Sequence, residues 1–75
     1  MCLGVPGKIV KITGNEPFRT ASVNFGGAVK GDISLLFCPD AKVGNYCLTH
    51  AGNALEVIDE KLALETITLL QTYST

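Results

Sequence analysis

The sequence is short of charge, of aromatic rings and of histidine. Asp, Glu, Lys and Arg make up 17% of its 75 residues, and the formal net charge is −1. The cations Lys8, Lys11, Arg19, Lys30, Lys42 and Lys61 are dispersed along the chain. No basic stripe therefore offers the footprint that a phosphate backbone selects. Aromatics are 7% of the residues, few for a surface that stacks bases. No apolar run approaches the ~18 residues of a membrane span, and no charged start leads into an apolar stretch as in a secretory signal. The three cysteines are an odd number and form no CxxC pair, which argues against a secreted disulfide scaffold. A reducing, cytoplasmic setting is the expectation. GxSxG, P-loop and HExxH patterns are missing as well, so neither those hydrolytic chemistries nor an organic cofactor is indicated.

What is present is apolar: 47% of the residues are hydrophobic, which marks a globular chain and not a disordered one. A chain of this length is one domain, 1–75, and buries only about 60% of the surface exposed when unfolded. Chains this small commonly lean on disulfides, metals or oligomerisation. A deep catalytic cleft would compete with the core for apolar residues, so a surface binding function fits better. Sparse charge points the same way, toward a surface that meets another protein.

Gly4, Pro6 and Gly7 make the first segment an extended arm or turn. Lys8–Thr13 is β-branched and reads as a strand with Ile9 inward, joined there by Val10 or Ile12. Gly14–Pro17 is a turn. From Arg19 to Phe25 the pattern alternates, with Ala21, Val23 and Phe25 on one face. Gly26-Gly27 makes a tight connection, and Val29–Phe37 forms a third strand with a bulge or bend at Gly31. Cys38–Gly44 is a loop, Asn45–Ala51 a fourth strand, Gly52-Asn53 a turn and Ala54–Ile58 a fifth strand. The period then changes. Asp59 caps a helix whose first turns carry Glu60 and Glu65. Ala63, Ile67 and Leu70 share its apolar stripe, flanked by Leu62, Leu69 and Tyr73. The expected architecture is mainly β: a small OB-fold-like five-stranded β-barrel over about 5–58, closed to remove its edges, with a C-terminal α-helix over about 59–73.

Cys2 is the most informative side chain. Removal of Met1 would set a free α-amine beside its thiol, and a neighbouring ammonium favours the thiolate, both a nucleophile and a soft metal ligand. Amine and sulfur together would chelate one metal. The plainer reading is a small apolar residue at a frayed end, and the residues alone do not displace it. His50 is the only histidine. Spacing alone favours a core histidine, although its place at a likely strand end next to Ala51-Gly52 would suit a ligand or proton acceptor. Cys38 and Cys47 read as structural. A structural zinc site would need all three cysteines and His50, and their spacing matches no usual zinc module.

The opening Met1-Cys2-Leu3-Gly4-Val5-Pro6-Gly7 resembles the signature of the HypC/HupF/HybG family. Asn24-Phe25-Gly26-Gly27 resembles the family's central Gly-rich turn. Pro39–Tyr46 resembles its second loop, and His50-Ala51-Gly52-Asn53-Ala54-Leu55 with Ile58-Asp59-Glu60 its distal signature. The basic residue usual after the Gly-Gly turn falls at Lys30, and Asn53 stands where the family often has an aromatic residue. The resemblance implies a non-enzymatic hydrogenase-maturation chaperone that serves assembly of the Fe(CN)2CO group of [NiFe]-hydrogenase. It implies two protein partners, the iron–sulfur scaffold HypD and the hydrogenase large-subunit precursor, with no nucleic acid and no membrane. It makes iron, carried transiently as Fe(CN)2CO, the metal concerned. Cys2 would be the iron ligand and contact residue, His50 a supporting ligand, and Leu3, Val5, Pro6, Gly7 and His50 would join Cys2 in partner binding. Two readings of other classes compete: an OB-fold nucleic-acid binder, which the barrel permits, and a small thiol enzyme using Cys2 with His50.

Overall fold

In a computed structural model the described residues are 5–73. Cys2 and Leu3 lie outside them, and so do the side chains of Val5, Leu70 and Tyr73. The elements are β1 (Val5–Thr13), β2 (Thr20–Phe25), β3 (Ala28–Ser34), β4 (Tyr46–His50), β5 (Asn53–Ile58) and α1 (Glu60–Tyr73). The strands close into a barrel in the order β1-β2-β3-β5-β4, and β4 returns to β1. All pairings are antiparallel except the β3–β5 seam, which is parallel. This is the five-stranded OB-like arrangement with a terminal helix expected from the alternation of apolar residues.

The core follows from that alternation. Ile9, Val23, Cys47 and Ala54 are fully buried, and Ala21, Ile33, Leu35, Cys38 and Ala41 pack with them. Val10 is the extra residue of a bulge in the β1–β2 ladder, so it turns outward while Ile12 stays half-buried. α1 lies against β1 and β4. Ala63 is its one fully buried described side chain, and Ile67 is half-buried. The Asp59 carboxylate caps the helix, accepting from the Leu62 N–H at 2.9 Å.

Three boundaries depart from expectation. β1 starts at Val5, not Lys8, so Pro6-Gly7 belongs to the strand and not to a free arm. Pro6 is tolerated because β1 has β4 alone beside it there; β2 joins only at Lys8. β3 stops at Ser34 instead of running to Phe37. The Ser34 hydroxyl accepts from the Leu36 N–H at 3.2 Å and the Leu35 carbonyl from the Cys38 N–H at 2.9 Å, which curls the chain away from the ladder. Between β4 and β5 the two-residue turn is Ala51-Gly52, since His50 pairs with Asn53. Both turn residues have positive φ, 52° and 80°, as a type I′ hairpin requires. The bulge foreseen at Gly31 does occur in β3 between Lys30 and Ile33, but the left-handed φ of 59° falls on Asp32, a residue type that tolerates it.

Candidate functional site

One end of the barrel gathers the predicted site residues that are described. The hairpin tips Phe25–Ala28 and His50–Asn53, together with the bulged stretch of β3, border an open groove of about 750 Å³. Phe25 and Ile33 give it an apolar floor; Lys30, Asp32 and His50 are exposed around it. The His50 imidazole is therefore at the surface, and the core-histidine reading that spacing favoured does not hold. Lys30, placed by the sequence after the Gly-Gly turn, shares the groove with His50.

β1 enters the barrel at the same end. Val5 pairs with Thr49, the neighbour of His50. Pro6 and Gly7 follow, and both are buried. Pro6 pairs with Leu48 on the face of the β1–β4 ladder opposite Gly7, and α1 packs against these same two strands. Gly7 pairs with Cys47 and faces the interior, where a Cβ would run into Val23 Cγ1 and come within 2.7 Å of the Phe25 ring. The structure thus gives Pro6 and Gly7 the task of seating the start of β1, whose first described residue, Val5, pairs beside His50.

The remaining cysteines are kept from chemistry. Burial pushes the Cys47 thiol up from 9.0 to about 11, with a smaller contribution from Cys38. Cys38 is raised too, by burial first and by the Glu56 carboxylate second, and its Sγ donates to the Ala54 carbonyl at 3.4 Å. Neutral buried thiols are poor ligands and poor nucleophiles. Both are free thiols in the core, apart from exposed His50, so the four-ligand zinc reading has no support. Among the described residues no three His, Cys, Asp or Glu side chains gather to hold a metal. His50 on its own could offer a metal one nitrogen donor at most.

Sequence reasoning passed over Arg19. Its guanidinium donates from Nη1 to the Ala41 carbonyl at 3.1 Å and from Nη2 to the carbonyls of Pro39 at 2.6 Å and Cys38 at 3.4 Å. Its Nε lies 3.1 Å from the Glu16 carboxylate. It holds the 38–41 turn to the barrel, a job that no local motif announces.

Sequence comparison finds relatives over nearly the whole chain. The HupF/HypC family model matches residues 1–70. The hydrogenase maturation factor HypC of Synechocystis sp. is 42% identical over 69 residues, 89% of this chain and 90% of the relative. The hydrogenase maturation factor HypC of Escherichia coli (strain K12) is 38% identical over 76 aligned positions, covering 95% of this chain and 80% of the relative. The Frd operon uncharacterized protein C of Proteus vulgaris is 36% identical over 74 positions, 93% of this chain and 75% of the relative.

Proposed function

The chain belongs to the HupF/HypC family, and from that premise we propose that it is a hydrogenase-maturation chaperone that carries iron through Cys2. In this reading it is a non-enzymatic factor, like the relatives named maturation factors. It works in the cytoplasm and binds HypD while the Fe(CN)2CO group is assembled. It then delivers that iron unit to the hydrogenase large-subunit precursor. Iron is cargo here, not a resident cofactor.

The observation that carries the reading is the pairing of Val5 with Thr49. Cys2 stands three residues before Val5 in the chain, so covalent geometry alone keeps its Cα within about 11 Å of the Val5 Cα. A soft thiolate, with the α-amine if Met1 is removed, would thus be within reach of exposed His50 and an open groove. A carrier must hold its metal firmly enough to move it and loosely enough to release it. One thiolate and one imidazole leave coordination positions for a partner to fill or strip, whereas a closed four-ligand cage would trap the ion. Leu3 and Val5, flanking this point, and the seated Pro6-Gly7 would present Cys2 to both partners in turn.

The test is an anaerobic pull-down from cells containing their hydrogenase-maturation proteins, with wild-type and Cys2→Ala bait and infrared spectra of the eluates. The reading expects HypD and cyanide and carbonyl stretching bands with wild type, and loss of both with Cys2→Ala while the circular dichroism spectrum is unchanged. A folded wild-type bait that retains neither HypD nor the bands overturns it.

A further inference from the structure

A second groove lies apart from His50. Along its outer edge β5 has a ladder partner at one position, where Asn53 faces Ser34 of β3. β3 then ends, and the 35–41 turn departs. Between that turn and β5 remains an open groove of about 480 Å³. Phe37, Pro39 and Asp40 form one wall, and Leu55, Glu56 and Val57 the other. It shares no lining residue with the groove at His50.

We propose that this groove receives an extended segment of a partner protein, alternating apolar and basic side chains, laid along β5 as an added strand. The inference goes beyond the carrier function and uses neither Cys2 nor His50.

Val57 pairs with Cys47 and so shares its inward face, yet Cys47 is 0% exposed and Val57 is 39% exposed. The inner face of β5 is covered at Ala54 and uncovered at Val57. Leu55, the extra residue of the β4–β5 bulge, and Phe37 across the groove are 49% and 60% exposed. A strand edge next to apolar side chains is a template for an incoming strand, with main-chain hydrogen bonds for affinity and side-chain contacts for choice.

Charge selects the occupant. Asp40 and Glu56 face the groove from opposite walls, and its lining holds no Lys, Arg or His. Arg19, which bonds the carbonyls of the 38–41 turn, is already paired with Glu16. A second copy bound groove to groove would set Asp40 and Glu56 against the same carboxylates. A basic segment meets them with opposite charge. The Arg19 bonds also hold one wall in place before binding, which lowers the ordering cost of association.

The test titrates the full ¹⁵N-labelled chain with a short acetylated peptide of alternating valine and lysine, and with its valine–glutamate counterpart. The expected result is that the lysine peptide shifts the backbone amides of residues 37–41 and 54–58 and leaves those of the His50 groove in place. Paired Asp40→Asn and Glu56→Gln substitutions should weaken it about three- to tenfold, the worth of two exposed ion pairs, with the melting temperature unchanged. The proposal is overturned if the lysine peptide shifts none of these amides, or if both peptides bind alike. It is also overturned if the same amides shift with protein concentration alone, which would assign the groove to a second copy of the chain.

Discussion

Gly7 lies so close to Val23 that a Cβ at position 7 would overlap Val23 Cγ1. The clash cannot be relieved toward solvent, because Val23 is fully buried and the other near neighbour is the Phe25 ring. Gly7→Ala should therefore destabilise the fold by about 1–3 kcal/mol, the usual cost of overpacking, read as a lower urea midpoint. Adding Val23→Ala should recover part of that loss, so the two changes should be non-additive. A Gly7→Ala chain as stable as wild type would show that the barrel wall gives way at this point.

The Arg19 guanidinium joins segments distant in sequence, and its removal is expected to cost far more than that of its partner carboxylate. Arg19→Met deprives the Cys38, Pro39 and Ala41 carbonyls of their donor, a loss of about 1–3 kcal/mol for hydrogen bonds from a charged group. Glu16 is 59% exposed, so Glu16→Gln should cost about 0–1 kcal/mol. Thermal melts of the two variants check the order. Equal effects would mean that the ion pair, and not the carbonyl cradle, holds the turn.

These two residues also mark what the sequence made legible. The alternating Ala21-Val23 stretch, the Gly26-Gly27 turn and the Asp59 cap are local signals, and each led to the right element. Pro6 misled because a proline in a strand depends on which neighbours that strand has, a property of the sheet and not of the segment. Leu35-Leu36-Phe37 misled because an apolar run does not say whether its backbone is paired; here Leu35 turns inward and the next two stay exposed. Arg19 reaches acceptors about 20 positions away, beyond any local pattern. At the site, the exposure of His50 follows from a hairpin register that one residue of slip would reverse. The role expected of Cys2 rests on the resemblance of the whole opening motif, and Cys2 lies outside the described residues.

Alkaline pH should loosen the protein through its buried thiols. Cys47 ionises near 9.0 when unfolded and near 11 when folded. Between those values the unfolded chain has released a proton that the native chain keeps, so rising pH favours unfolding. The stabilisation is intact below pH 9.0 and is lost as pH climbs through about 11. The urea midpoint should fall over this interval and fall less steeply in Cys47→Ala, with Cys38, raised in the same direction, supplying the remaining slope. In a Cys2→Ala background neither core thiol should react with an aromatic disulfide reagent until urea is added. Rapid native labelling would show that the core opens more readily than its burial implies.

His50 allows folding and function to be separated. Its side chain is exposed and borders the groove at the start of β1, so His50→Gln should change stability by no more than about 0.5 kcal/mol. Gln retains hydrogen-bonding groups but has no basic imidazole nitrogen to donate to iron. On the proposed carrier function, maturation in a deletion strain should fall with His50→Gln, and less than with Cys2→Ala, because a thiolate would be the stronger ligand for an iron cargo. Hydrogenase activity and the infrared bands of the purified complex, measured beside a thermal melt of each variant, check this. Full maturation with a normal melt would remove His50 from the site, and a collapsed melt would return it to a structural role despite its exposure.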